Sequence, residues 1–556
     1  MTSLRQALNY QPQELQFGTS GRRGLVVDLT QLEIFINVVA ELEFLQSLPK
    51  SEGGISKGDE FFYARDLRPS SSNYTAENQG RGEIAQAVEA AIIHCGMIPV
   101  NQDQIPTPAL TSYAIGLGKG SIMVTGSHIP FDRNGYKTNT SQGELLKQHE
   151  QPINDKVTEV REWFYQQALA DSLFAEDGRF KTGSRQLSVA QPDASAAYLK
   201  RYLDFFLINA LTGLNILVYQ HSAVGRDLLV DLLQKLGANV VVTGRSETFV
   251  PIDTENMDAA QLATIQNLYN TAAAEHGQFT AIVSTDGDSD RPLILGVDPS
   301  SQQVRFFGGD LVGMLTAELL GADSVVVPIS TNDGIDRSTL QAITEPKTRI
   351  GSPFVITGMQ KALARGKQSV CGWEANGGFL TGSAIQWRGN TLSALPTRDA
   401  ILPILAILYL AKRDQLPLTE LFARLPKRYS RAALLKQLPR SQSLAMIKRF
   451  SPTDESISTV QYLAKQIVAL DESEQILTTT DEQLAELTSI QHQLASFFNT
   501  ELGFDQISKI NYTDGVRLYF NNGDVAHMRP SGNADELRIY AVSDTQERAN
   551  AIAEMA

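Results

Sequence analysis

Over its first three quarters the chain repeats one arrangement, in which a short apolar run enters a polar loop, a helix-periodic segment follows, and a second apolar run begins. Residues 61–71 (FFYARDLRPSS), 81–96 (RGEIAQAVEAAIIHCG), MIPV and SIMVTGSHIP form a first series. A second holds NILVYQ (215–220), GRDLLVDLLQKLGA, NVVVTG and FTAIVSTDGDSDRPLILGV (279–297), and a third runs through 311–330, 348–363 and 369–379. Strands separated by helices pair through crossover connections, so this order predicts α/β layers in three related units and argues against a sandwich or a helical bundle. The last quarter breaks the pattern. KINYTDGVRLYFNNGDVAHMRPSGNADELRIYAV alternates apolar and polar residues, with NNGD and SGNAD as turns, and predicts antiparallel strands preceded by a polar, helix-rich stretch at about 440–500. At 556 residues the chain exceeds one core, and the pattern divides it into 1–190, 191–310, 311–428 and 429–556, the last break falling at the basic RLPKRYSRAALL.

Composition narrows the partners. Lys and Arg total 48 against 62 Asp and Glu, a formal charge of −14 without a basic tract, which makes nucleic acid an unsuitable partner. The N-terminus MTSLRQALNY lacks the apolar core of a signal peptide. The longest apolar run, ILPILAILYLA at 401–411, is too short for a bilayer and contains Pro403, so it predicts a buried helix. Cys95 and Cys371 form no C-x-x-C pair, and a reducing, cytoplasmic setting is expected, with no membrane contact.

Four loops carry the chemistry. IMVTGSHIPFDRNGYK (122–137) sets Ser127 beside His128, but the hydrolase elbow G-x-S-x-G needs glycines where this chain has Thr125 and Ile129, so an acyl-transferring serine is excluded. DGDSDR (286–291) places Asp286, Asp288 and Asp290 at alternate positions, a hard-oxygen set suited to Mg²⁺ or Ca²⁺; Arg291 and Val297 stand where an EF-hand needs Gly and Glu. The competing reading is a solvated acidic turn. GWEANGG (372–378) displays Glu374 and Asn376 on a glycine-flanked turn, able to meet sugar hydroxyls or to be an ordinary β-turn. RPSGNADELR (529–538) joins two guanidiniums to a Ser-Gly-Asn turn, a phosphate clamp or a hairpin whose arginines pair with Asp535 and Glu536. FGTSGRRG (17–24) is glycine-rich yet neither a Walker A loop nor a dinucleotide fingerprint, and no strand is expected to lead into it.

In type and order these loops resemble those of the α-D-phosphohexomutases, the phosphomannomutases, phosphoglucomutases and phosphoglucosamine mutases, over nearly the whole chain from FGTSGRRG to RPSGNADELRIY. The resemblance implies three related α/β domains with mixed sheets and a C-terminal α+β domain with an antiparallel sheet, around a central cleft. It implies that Ser127 is phosphorylated and, with Asp286, Asp288 and Asp290, holds one Mg²⁺. Arg23 and Lys137 match residues near the proton transfer, and His128 and Arg291 match neighbours of the phosphoserine. Glu374 and Asn376 fall on the sugar loop, and Arg529, Ser531, Gly532, Asn533 and Arg538 on the phosphate loop. The activity implied is exchange of hexose 1-phosphate and hexose 6-phosphate through a hexose 1,6-bisphosphate, by a monomer or homodimer. Trp373 and Asn376 replace the glycine and serine of the commoner G-E-x-S-G, while S-G-N and S-H-I-P lean toward the phosphomannomutase branch. Phosphoglucomutase and phosphoglucosamine mutase are the alternatives within the family; a non-catalytic sugar-phosphate-binding protein and a sugar phosphatase are those outside it.

Overall fold

The computed structural model describes residues 2–18, 20–75, 81–255, 257–464, 466–530 and 536–555. Three mixed sheets in series precede one wholly antiparallel sheet, the class expected from the sequence. In the first sheet Glu60–Arg65 lies parallel to Ile98–Gln104 and to Ser121–Val124, and Arg133–Thr140 returns antiparallel to the last. In the second, Asn215–His221 is parallel to Asn239–Arg245 and Ala281–Thr285, and Pro292–Val297 returns antiparallel. In the third, Ser324–Val326 is parallel to Val370–Trp373, and Phe379–Thr381 returns antiparallel.

The parallel strands that lead into the loops are buried along their whole length, which is why they read as unbroken apolar runs. Each then turns back on itself. The turn between parallel strand and antiparallel return carries Ser127 in the first sheet, the three aspartates in the second and Glu374 in the third. Three chemically unlike loops therefore occupy one topological position.

FGTSGRRG departs from expectation, because the two-residue strand Gln16–Phe17 does lead into it and pairs with Arg22–Leu25, which in turn adds to Arg133–Thr140. Two residues are too few to leave an alternating pattern. The run ILPILAILYLA is the expected helix, Ile401–Asp414, buried from Ile401 to Ala411; Pro403 sits in its first turn, where the missing N–H would have no intrahelical acceptor.

The antiparallel sheet has seven strands, in the order Tyr429–Lys436, Glu536–Ser543, Val525–Pro530, Val516–Phe520, Ile507–Asn511, Thr459–Leu463 and Gln466–Leu470. The last two form a hairpin within the stretch read as helix-rich, whose helices are Arg440–Arg449 and Asp481–Phe497. Apolar packing separates this sheet from the rest. One core runs from Phe62 and Met123 through Tyr198 and Leu232 to Ile404 and Phe422, whereas Ile490, Leu494, Phe520 and Ile552 form another under the antiparallel sheet. The joint is ionic: Arg428 donates to both carboxylate oxygens of Asp333 (2.6 and 2.7 Å) and to Asp544 (2.7 Å). No helix among the described residues is long and apolar enough to cross a membrane. Both cysteines are free and buried.

Candidate active site

Ser127 sits at φ 55°, in the left-handed region that an L-residue occupies only when its surroundings impose it. Arg68 imposes it. Its buried guanidinium donates to the carbonyls of Ser127 (3.0 Å), Pro130 (2.8 Å) and Arg133 (2.9 Å) and lies 3.9 Å over the Phe249 ring. Asp66, beneath it, accepts from Ser71, Thr125 and the Arg68 N–H. Gly287 lets the aspartate loop approach, since a Cβ there would meet the Ser127 carbonyl at 2.6 Å. The Ser127 hydroxyl then donates to Asp286 Oδ2 at 2.7 Å, across 159 residues of sequence.

Asp286, Asp288 and Asp290 are fully buried, with ligand oxygens within 4.8 Å of one another. A solvated acidic turn is thereby excluded. Lys137 bridges Asp288 (2.7 Å) and Asp290 (2.6 Å), and Thr107 donates to Asp288 at 2.6 Å. Burial pushes the Asp286 carboxyl well up, reinforced by Asp288 and Asp290. For Lys137 burial alone would lower the ammonium, but the two carboxylates outweigh it and hold it above its ordinary value, opposite to the lowering a general base would need. Asp288 Oδ1 and Asp290 Oδ1 are buried and accept no hydrogen bond from the described residues. Three hard carboxylates, two of them with a free, dehydrated oxygen, fit a small divalent cation.

Neighbouring arginines divide their tasks. Arg22 points into the protein and pairs with Glu41 at 2.7 Å, while Arg23 lines the cleft, held by the carbonyls of Arg22 (2.8 Å) and Tyr136 (3.0 Å); desolvation lowers it to about 10. Arg291 donates to His128 Nδ1 at 2.9 Å. Arginine has no acceptor, so that nitrogen carries a lone pair and the ring proton is on Nε2. Desolvation, with Arg291 nearby, lowers the imidazole to about 3, which keeps it neutral.

Glu374 is buried and ion-paired to the Arg398 Nε, whose Nη1 lies 3.3 Å from Ser20 Oγ and 3.7 Å from Asp290 Oδ2. Arg398 thus ties three loops together. Asn376 uses its carbonyl oxygen on the Gly378 N–H (2.9 Å), so half of its expected sugar-binding capacity shapes the turn. Trp373 packs in the core, stacked on Phe379, and does not line the cleft. Arg529 and Arg538 are directly opposite on adjacent strands, a like-charge pairing that an anion would stabilise. Among the described residues their nearest carboxylates are Asp514 at 3.4 Å and Glu255 at 3.9 Å. Ser531, Gly532 and Asn533 lie outside the described residues.

Ser127, His128, Arg23, Lys137, Arg291, Glu374, Asn376, Arg529 and Arg538 line one cleft of about 370 Å³. Sequence reasoning missed Arg68, Arg398, Asp253 and Glu255. Asp66 and Arg68 were visible only as the polar end of FFYARDLRPSS; Asp253 and Glu255 stand at alternate positions in PIDTENMD without glycine punctuation, and Arg398 lies in PTRDA.

The family models for phosphoglucomutase/phosphomannomutase match residues 14–163 (alpha/beta/alpha domain I), 309–429 (alpha/beta/alpha domain III) and 468–556 (C-terminal domain). A phosphomannomutase of Sinorhizobium fredii is 37% identical over 534 residues, 96% of either chain. The chain belongs to the phosphoglucomutase/phosphomannomutase family. A second relative, a phosphomannomutase of Salmonella muenchen, is 35% identical over 542 residues, 97% of this chain and 94% of that one. In fold, this family member is similar to the crystal structure of a phosphoglucomutase/phosphomannomutase family protein from Burkholderia thailandensis, with TM-score 0.59, 16% identity and coverage of 96% and 95%. It is accordingly a phosphohexomutase, an intramolecular phosphotransferase.

Proposed function

We propose that this phosphohexomutase interconverts mannose 1-phosphate and mannose 6-phosphate through a phosphoserine at residue 127 and a hexose 1,6-bisphosphate. The observation that carries the reading is the Ser127 hydroxyl, 2.7 Å from Asp286 in a buried carboxylate cluster, sharing one cleft with the opposed Arg529 and Arg538. Mannose rests on the two phosphomannomutases at 37% and 35% identity. Four domains, divided near 190, 310 and 428, each contribute one loop to the cleft.

Asp286, Asp288 and Asp290, with the phosphorylated Ser127, would hold Mg²⁺, which when bound neutralises charge on the transferring phosphoryl group. The chain's own groups do the rest. Arg529 and Arg538 hold the phosphate that does not react, and Glu374, fixed by Arg398, accepts from sugar hydroxyls. The free sugar hydroxyl oxygen attacks phosphorus as the bond from phosphorus to Ser127 Oγ breaks, and the hydroxyl proton passes to that serine oxygen, which is left as a hydroxyl. Arg23, at about 10, and Lys137, held above its ordinary value, both stay charged near neutrality and would stabilise the serine oxygen as the P–O bond breaks. His128 stays neutral with Nε2–H as donor. The bisphosphate turns end for end, and its other phosphoryl group returns to Ser127.

A panel of mannose, glucose and glucosamine 1-phosphates, assayed for the 6-phosphates, tests the reading. Mannose 1-phosphate is expected to give the highest kcat/KM. Release of free phosphate without a 6-phosphate product would overturn the mutase assignment, and a preference for either other sugar would overturn mannose.

A further inference from the structure

The segment before residue 256 belongs to none of the loops that define the family resemblance, yet it reaches into the cleft. Thr254 is buried, and its hydroxyl donates to the Asn376 carbonyl at 2.7 Å, stapling this segment to the sugar loop. On either side of the staple, Asp253 and Glu255 line the cleft. Their carboxylates differ. Asp253 accepts the Glu255 N–H at 3.0 Å, within its own turn, whereas the Glu255 carboxylate accepts no hydrogen bond from the described residues and has Arg538 at 3.9 Å as its ion-pair partner.

An acid beside a phosphate-clamp guanidinium opposes phosphate binding by like-charge repulsion, so its presence needs a compensating contact. The rest of the cleft shows what is missing. Arg23, His128, Lys137, Arg291 and Arg529 offer donors, one Glu374 oxygen is taken by Arg398, Asp253 is turned to its own backbone and Glu536 is the other acid of the lining, while a hexose brings hydroxyls that need acceptors. Glu255 stands between the clamp at Arg538 and the sugar loop at Asn376, where the ring of a sugar held by its phosphate would lie.

We propose that Glu255 accepts a hydrogen bond from a ring hydroxyl of the bound hexose phosphate and sets the preference between epimers. The inference rests on the mutase reading. Its test compares kcat/KM for mannose 1-phosphate and glucose 1-phosphate in wild type, Glu255→Gln and Glu255→Asp, with inorganic phosphate as a competitive inhibitor in each. The amide weakens the acceptor and the shorter acid withdraws it, so both are expected to move the mannose-to-glucose ratio by about tenfold, the net worth of one hydrogen bond. If Glu255 only balances the charge of Arg538, phosphate inhibition tightens in Glu255→Gln while the ratio stays within about twofold, and the proposal is overturned; an unmoved ratio with unmoved inhibition overturns it equally. Should Glu255→Gln fail to fold, Glu255→Asp decides by the same ratio. Wild type that turns over neither sugar would refute the mutase reading, and this inference with it; active wild type with an unmoved ratio refutes Glu255 alone.

Discussion

At one end of the cleft Ser127, Asp286, Asp288, Asp290 and Lys137 are buried and joined by hydrogen bonds of 2.6 and 2.7 Å; at the other, Arg529 and Arg538 face each other with carboxylates, among the described residues, no nearer than 3.4 and 3.9 Å. The two ends rest on different cores, one shared by the first three sheets and one under the antiparallel sheet. The difference matches two tasks. Phosphoryl transfer needs charges fixed before the reaction, because reorganising them would add to the barrier. Holding the unreactive phosphate of a sugar that binds in two orientations needs cations without a committed partner.

The largest expected effect is at the fixed end. Asp288→Asn removes a carboxylate from the cluster and leaves Lys137 half-paired, and we expect Mg²⁺-dependent mutase activity to fall by about a thousandfold or more. A metal titration unchanged by the substitution would contradict the role of this loop. Arg68→Met tests whether the left-handed Ser127 is imposed from below. With four loop carbonyls and Asp66 losing their buried partner, stability should drop by about 3 kcal/mol, and activity should fall more than the unfolded fraction explains. Activity that tracks only the folded fraction would make Arg68 a stability residue alone.

At the other end the effects should be smaller and of another kind. Arg529→Ala and Arg538→Ala are each expected to raise KM by roughly ten- to a hundredfold, the worth of a charge-assisted hydrogen bond, with little change in melting temperature. A fall in kcat at unchanged KM would mean that the clamp acts on the reacting group instead. The smallest effect on activity concerns the joint. Burial pushes the Asp310 carboxyl up to about 7; it accepts the Asn332 N–H, and Asn332 in turn holds the Arg428 carbonyl. Between about pH 4 and 7 the folded chain keeps a proton that the unfolded chain releases, so this group's contribution to stability falls as pH rises through that window. Asp310→Asn should flatten the decline, raising the melting temperature relative to wild type at pH 8 but not at pH 4.

Much of this arrangement was legible in the sequence, because each loop interrupts a strand buried on both faces and both the apolar run and its polar break leave a mark. The sheet around Val516–Phe520 and Val525–Pro530 was legible for the opposite reason, its alternation. Hidden features are those made by contact across the chain. Arg68 and Ser127 are 59 residues apart, and Arg398 reaches Ser20 across 378. Nothing local in LRPSS or PTRDA distinguishes a guanidinium that will support a loop from one that will face water. The hairpin Thr459–Leu463 and Gln466–Leu470 was missed because it is short and lies between two polar helices, whose composition dominates the stretch.

In the proposed mechanism Ser127 carries the phosphoryl group between the two ends of the sugar. Intact-mass measurement after incubation with a hexose 1,6-bisphosphate and Mg²⁺ tests it most directly. The account predicts one phosphoryl group on the wild-type chain, removed on adding hexose 6-phosphate, and none on Ser127→Ala, whose mutase activity should be lower by about a thousandfold or more. A Ser127→Ala chain that still takes up the phosphoryl group, or still isomerises at the wild-type rate, would contradict it.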